Sequence, residues 1–236
     1  MEHAVRLTSA AREVAEHRSR VGTDPQLGGR IVALKAWQSK RLAATHVDLL
    51  SEPRYRGAAH FFLDDLYGTK DFSQRDAELA RMIPAMSRML PNSALATLAD
   101  AVELDALSER LDEALASRLQ AAGVVEIDEA AYAAAYRASA TREQRLHQLD
   151  LVLAIGHSLD RLVRHPLLGK LLGMMGGPAR LAGLATMHQF LVDGFTAFSA
   201  IGGASDFLGR IDRRERVILQ RLFDGQLTGW TVVPAN

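Results

Sequence analysis

The sequence predicts an all-α protein, a bundle of about eight or nine helices closed by a short extended C-terminal tail. Three observations carry that prediction. Apolar residues recur at steps of three and four along most of the chain; no alternating strand pattern appears before the tail; the breaks between periodic segments are short and marked by Pro, Gly, Asn or Asp. Connections this short favour one helical body over residues 1–236, with the link 123–128 as the candidate place for a subdivision.

A first helix is expected over residues 2–20, stopped by Val21-Gly22-Thr23-Asp24-Pro25. The second spans 27–50, with the stripe Leu27, Ile31, Leu34, Leu42 and Leu49, and with Gln38 and Thr45 as polar intruders on it. Pro53 opens a third helix at its first turn, where a missing N–H costs nothing, and Gly68 stops it. A fourth starts near Asp71 or Ser73, where Asp71 with Gln74, or Ser73 with Asp76, has capping-box spacing. Its stripe is Leu79, Met82, Met86 and Met89, and Pro84 should kink or restart it. Pro91 precedes a fifth helix over 94–121, and an alanine-rich segment covers 129–139.

A long helix over 141–164 should turn Leu146, Leu149, Leu153, Leu159, Leu162 and Val163 inward. Pro166 and the Gly/Met run 169–177 read as a loose hairpin, followed by helices over 178–201 and 204–223. In the last of these, Asp206/Arg210, Asp212/Arg216 and Arg213/Arg214/Glu215 lace one, solvent-facing side with opposite charges, while Phe207, Ile211, Ile218 and Leu222 line the other. The tail 225–234 is too apolar for a solvated end, so Trp230 and its two valines should pack back on the body or on a neighbouring subunit.

At 236 residues, with 24% charged and 48% hydrophobic residues, the chain can build a sizeable core. Formal net charge is zero, so no global field favours nucleic acid. The charge is nevertheless segregated. Residues 11–56 carry nine Arg or Lys against five acids, and residues 99–129 carry nine acids against Arg110 and Arg118. Either these are solvated faces, or the two regions pair within the molecule or head-to-tail in an oligomer. Absence of cysteine excludes disulfides, thiolate metal sites and cysteine nucleophiles. The first residues lack an apolar signal segment, and the most apolar stretch, 181–201, is interrupted by His188, Gln189 and Asp193. The expectation is a cytoplasmic protein with no transmembrane segment and no nucleic-acid partner.

The most specified stretch is residues 60–76. On a helix His60, Asp64 and Tyr67 share one face, Tyr55, Ala59, Phe62 and Leu66 form the buried neighbour, and Asp65 lies beside Phe61. Two aspartates in a last helical turn are disfavoured by the dipole, by roughly 0.3–1 kcal/mol each. Arg75 or Arg81 pairing with Asp64 or Asp65 would make the block a lock between helices. Alternatively His60, Asp64, Asp65 and Tyr67 wall a pocket in which a His–Asp pair is base and orienter, or a pair of metal ligands. No Glu-x-x-His, His-Glu-x-x-His, phosphate loop or nucleophile elbow occurs. A second polar set, His157, His188 and Asp193, sits in apolar helices; its histidines are either hydrogen-bonded core residues or holders of a haem or another flat apolar ligand.

The run Phe61-Phe62-Leu63-Asp64-Asp65-Leu66-Tyr67-Gly68, followed by Asp71-Phe72-Ser73-x-Arg75-Asp76 and Arg81-x-x-Pro84, resembles the signature block of an uncharacterised bacterial all-helical family over about residues 25–95. The resemblance implies a bacterial helical protein and transfers no catalytic residue. Candidate binding residues are therefore His60, Asp64, Asp65, Tyr67, Arg75, Asp76, Arg81, His157, His188 and Asp193. The leading functional expectation is a non-enzymatic, homodimeric helical protein that binds an apolar small molecule or a protein partner, with no cofactor required. The competing one is a helical-bundle enzyme or a metal or haem protein built on His60, Asp64, Asp65 and Tyr67. A third is attachment to a membrane surface through 167–177.

Overall fold

The computed structural model describes residues 2–66 and 73–231, and no strand occurs among them. Its elements are α1 Glu2–Gly22, α2 Pro25–Thr45, α3 Val47–Ser51, α4 Pro53–Phe61, a π-helical turn Phe62–Leu66, α5 Ser73–Met89, α6 Asn92–Ala121, α7 Glu129–Ser139, α8 Arg142–Val163, α9 Pro166–Leu181, α10 Ala185–Ile201 and α11 Ser205–Phe223. The all-α class holds, but the described residues form twelve helical elements where eight or nine were expected.

The excess has local causes. The expected helix 27–50 divides at His46, whose backbone (φ −115°, ψ 29°) leaves the helix while its ring turns inward onto Glu215. The expected hairpin 169–177 is instead the body of α9. The chain reverses after it, at residues 182–184, where Gly183 takes φ +66°, a conformation that favours glycine. Pro84 does not break α5. It and Ala80, whose carbonyl it leaves without a helical donor, are both exposed, so water can serve that group.

Three apolar clusters make the interior. The first joins α1, α5, α6 and α10 through residues such as Leu7, Val14, Met86, Ala99 and Met187. The second joins α2, α6, α7 and α11, with Trp230 fully buried in it. The third joins α3, α4, α10 and α11 around Tyr55, Phe198 and Phe207. Helices on both sides of the 123–128 link pack together, since α6 touches α7 and α8 as well as α1 and α2. Close approach of α8 to α11 occurs at Gly156, where a Cβ would stand 2.5 Å from the Leu208 side chain.

The segregated charges pair within the molecule. Arg6 binds Asp100 and Glu103 at 2.7 Å, Arg18 binds Asp105 and Glu109 at 3.1 Å, and Arg20 reaches Glu113 at 3.0 Å. Partner numbers climb together along α1 and α6, so these helices run parallel. Lys35 of α2 adds a 2.7 Å contact to Glu109.

Several helix ends are satisfied by side chains from other helices. α10 has no side-chain cap of its own; Glu78 of α5, 2% exposed, accepts the Met187 N–H in its first turn at 2.8 Å. Asp160 of α8 accepts the Ala204 N–H at the start of α11 at 3.0 Å. At the other end of α10, Arg54 donates to the carbonyls of Ile201 (2.6 Å) and Gly203 (3.3 Å). A buried helix terminus without such partners would leave several polar groups unsatisfied.

The tail behaves as its composition predicts at Trp230, which packs on the body of its own chain. Its indole N–H meets the Glu129 carbonyl at 3.3 Å. The Glu129 carboxylate accepts from Gly229 N (2.7 Å) and Thr231 Oγ1 (2.6 Å). The two valines lie outside the described residues. Among the described residues no helix is long and apolar enough to cross a membrane.

Glu78→Ala should cost about 1–3 kcal/mol in urea unfolding at pH 7, because the Met187 N–H and Gln74 amide lose a buried acceptor. An unchanged midpoint would remove the cross-helix cap from the account of the fold.

Candidate functional site

Where the second and third apolar clusters meet, the chain forms a partly open cavity of about 160 Å³. Most of its wall is aliphatic or aromatic: Leu42, Leu49, Phe62, Leu149, Phe207 and Ile218 face it from α2, α3, the π-helical turn, α8 and α11. A polar minority shares the lining, made of Gln38 and Arg41 of α2, His46, Asp112 of α6, Arg145 and Gln148 of α8, Glu215 of α11, and the phenols of Tyr132 and Tyr136 of α7.

Two charge systems organise these groups. In the first, Arg41 Nη1 donates to both Glu215 oxygens at 2.6 and 2.7 Å, and His46 Nε2 lies 2.9 Å from the same carboxylate. His46 Nδ1 faces Arg214 Nη1 at 3.5 Å. Arg214 can only donate, so the imidazole proton belongs on Nε2 and points at Glu215. Arg214, 4% exposed, grips Asp48 with both terminal nitrogens at 2.6 and 2.8 Å. Burial by itself would raise the Glu215 carboxyl, but the Arg41 charge and the His46 hydrogen bond overcome it and hold it at about 2. Arg214 likewise holds Asp48 at about 2.

The second system surrounds Asp112, 7% exposed, whose Oδ1 accepts from Gln38 Nε2 at 3.1 Å. Burial pushes this carboxyl up, against the nearby charges of Lys35 and Arg145. Arg145 itself is 3% exposed. Its guanidinium lies over the Tyr136 ring, 4.2 Å from the centroid, and Nη1 donates to Gln148 Oε1 at 3.2 Å. Gln148 is fixed in turn by its 2.8 Å bond to Ser108. The aromatic wall is braced from behind, with Trp37 stacked on Tyr132 at 4.3 Å and Trp230 at 5.5 Å.

The block 60–66 meets this cavity with its apolar side. Phe62 and Leu63 line it, whereas His60 and Asp64 face solvent, 56% and 58% exposed, with Nδ1 and Oδ2 3.5 Å apart. Tyr67 and the side chains of Asp65 and Arg75 lie outside the described residues. Arg81 donates to the Gly183 carbonyl at 2.9 Å, and Asp76 pairs with Arg18. His157 is exposed; His188 Nε2 sits 2.8 Å from the Leu172 carbonyl; Asp193 accepts from Gln189 at 2.8 Å. The sequence-nominated residues thus do not converge on one another in the described structure, apart from His60 with Asp64. Among the described residues no three His, Asp or Glu side chains are grouped to hold a metal ion.

Two sequence signals pointed inward. Gln38 stood on the apolar stripe of α2, and Arg145 lies four residues before Leu149 on the inward face of α8. Arg214 and Glu215 also share the helical face of Phe207, Ile211, Ile218 and Leu222, so they do not belong to the solvent-facing side to which their charge assigned them.

Glu215→Gln should destabilise the fold by about 3–5 kcal/mol, because Arg41 is left buried without its counter-charge. Both lowered carboxyls imply stability that is present above the unfolded carboxylate range and drains away as pH falls toward 2. Urea midpoints measured from pH 6 to pH 2 should fall steadily in the native protein and less steeply in the Gln variant. Parallel slopes would refute the assignment.

Comparison with curated proteins and with solved structures finds no match. A family model does match, over residues 17–229, which takes in every helix lining the cavity. The chain belongs to the family described as Domain of unknown function (DUF8198).

Proposed function

We propose that this protein is a non-enzymatic binding protein that takes a small, largely apolar molecule into the cavity between its second and third core clusters, and that it works as a homodimer in the bacterial cytoplasm. The observation that carries the binding reading is the cavity itself. An apolar-walled space of about 160 Å³ is of the size that accepts a single six-membered ring. Its apolar walls lack the close contacts of a packed interior, and a bound apolar molecule would supply them. The polar minority on the wall supplies the few placed groups that orient a bound molecule. The cytoplasmic setting is consistent with a chain that uses no cysteine.

The dimer is supported by α9. Leu167 (65% exposed), Met174 (70%) and Leu181 (93%) recur every seven residues, forming one apolar stripe on its outer side. Seven-residue repeats of this kind suit helix-to-helix contact between copies.

Toluene, a neutral ring of the right size, should raise the unfolding temperature saturably, and Val152→Phe, which adds bulk at a residue of α8 on the cavity wall, should abolish the effect while leaving the helical circular dichroism intact. A linear, non-saturating response in the native protein would remove the binding reading. For the dimer, sedimentation equilibrium should show a twofold mass that Met174→Glu with Leu181→Glu reduces to the monomer. A native protein that is monomeric at tens of micromolar would end that part.

A further inference from the structure

Among the side chains lining the cavity, Arg145 has two neighbouring donors that the protein does not use. Arg145 is 3% exposed, yet its Nε and Nη2 have no hydrogen-bond partner in the chain. The remaining surfaces of the same guanidinium are occupied: Nη1 by Gln148, and one face by the Tyr136 ring. Nε–H and the adjacent Nη2–H lie on one edge of the planar group and point in parallel. That edge is the fork that matches the two oxygens of a carboxylate. Stacking on Tyr136 and the bond to Gln148, itself held by Ser108, fix the plane in advance. A buried charged donor left unpaired costs more than a neutral one, so an idle fork is a poor use of an interior position.

We propose that the cavity's ligand is a small apolar carboxylic acid, a ring or branched hydrocarbon carrying one carboxylate, with the carboxylate on the Nε/Nη2 edge of Arg145 and the hydrocarbon against the aliphatic wall. The proposal rests on the binding reading above and adds the charge and the orientation. Local charge favours it. Arg41 is already paired with the Glu215 carboxylate, which His46 also binds. Asp112, the other carboxyl on the wall, is pushed up by burial against the nearby charges of Lys35 and Arg145, and its Oδ1 already accepts from Gln38. Arg41 Nε, buried and without a partner, offers a further donor on the same wall.

Volume selects among anions. A space of about 160 Å³ with mostly apolar lining holds a benzoate-sized molecule and little more. A bare inorganic phosphate would satisfy the fork but leave the hydrocarbon wall empty.

Benzoate and toluene share a ring and differ in the carboxylate, so titrating both separates the two readings. By calorimetry at pH 7, benzoate should bind at least tenfold more tightly than toluene. Arg145→Met should lose that preference while keeping toluene binding, and Arg145→Lys, which retains the charge without the fork, should recover only part of it. Should the variants fail to fold, the native protein still decides: the Arg145 Nε–H resonance should shift saturably with benzoate and not with toluene. Toluene binding with no benzoate preference would overturn the carboxylate assignment and leave the cavity reading standing. Binding of neither would overturn both. Inorganic phosphate competing as well as benzoate would overturn the apolar acid as the ligand class.

Discussion

The arrangement depends first on α6 and the acids along it. A 30-residue helix carrying Asp100, Glu103, Asp105, Glu109, Asp112 and Glu113 cannot be buried against other helices unless most of those charges find partners. α1 and α2 supply them through Arg6, His17, Arg18, Arg20, Lys35 and Gln38. Each exposed pair in such a ladder contributes little, roughly 0–1 kcal/mol. Its value is registry. The apolar contacts of Leu7, Val14 and Ala99 would tolerate sliding by a turn, whereas a slide would separate every charge from its partner at once. The energy of the α1–α6 contact is apolar; its alignment is electrostatic. Because Glu109 and Asp112 belong to the same ladder, the alignment that places α1 and α2 also sets the polar floor of the cavity.

A second constraint comes from helix ends. Eleven α-helices among the described residues bring many termini against other helices. The structure meets this with charged side chains reaching between helices: Glu78 and Asp160 at the starts of α10 and α11, Arg54 at the end of α10, Arg214 at the Thr45 carbonyl. These bonds tie helices that are distant in sequence, and they position α11, which carries Glu215 and much of the aliphatic wall. The block at 60–66 fits the same logic. Its π-helical turn presents Phe62 and Leu63 to the cavity and leaves Asp64 in water, where a carboxylate at a helix end needs no buried cation.

What the sequence disclosed follows from which forces are local. Periodicity and short breaks state the all-α class because every helix buries one face. Opposite charge blocks at 11–56 and 99–129 allow a pairing, within one chain or between copies, but leave two solvated faces equally open. Trp230 stated its own burial. The division at His46 was not legible, since the pull on that ring comes from Glu215, 169 residues away. Nor was α9 legible as a helix, because glycine and proline in 169–178 argue locally for a break that tertiary contacts overrule, such as the Gly169 backbone under the Phe195 ring. The cavity is the extreme case. Gln38, Arg41, Asp112, Arg145 and Glu215 come from four helices, and no motif spacing links them. Only their appearance on otherwise inward faces marks them, and in α11 that sign was hidden among alternating charges.

Arg145 differs from the other buried cations: the nearest carboxyl, Asp112, makes no hydrogen bond to it and is bound to Gln38 instead. Arg41 has Glu215, Arg214 has Asp48, and Arg18 has a cluster of acids. For those residues the desolvation cost is offset inside the molecule, and their roles in folding account for their presence. Arg145 has an aromatic face and one amide oxygen, which offset part of the cost of burying a full charge. Methionine at the same place would fill similar volume without that cost. A position that weakens the empty protein and would strengthen a complex is what differential binding requires: the free energy withheld from the fold becomes available to whatever completes the fork.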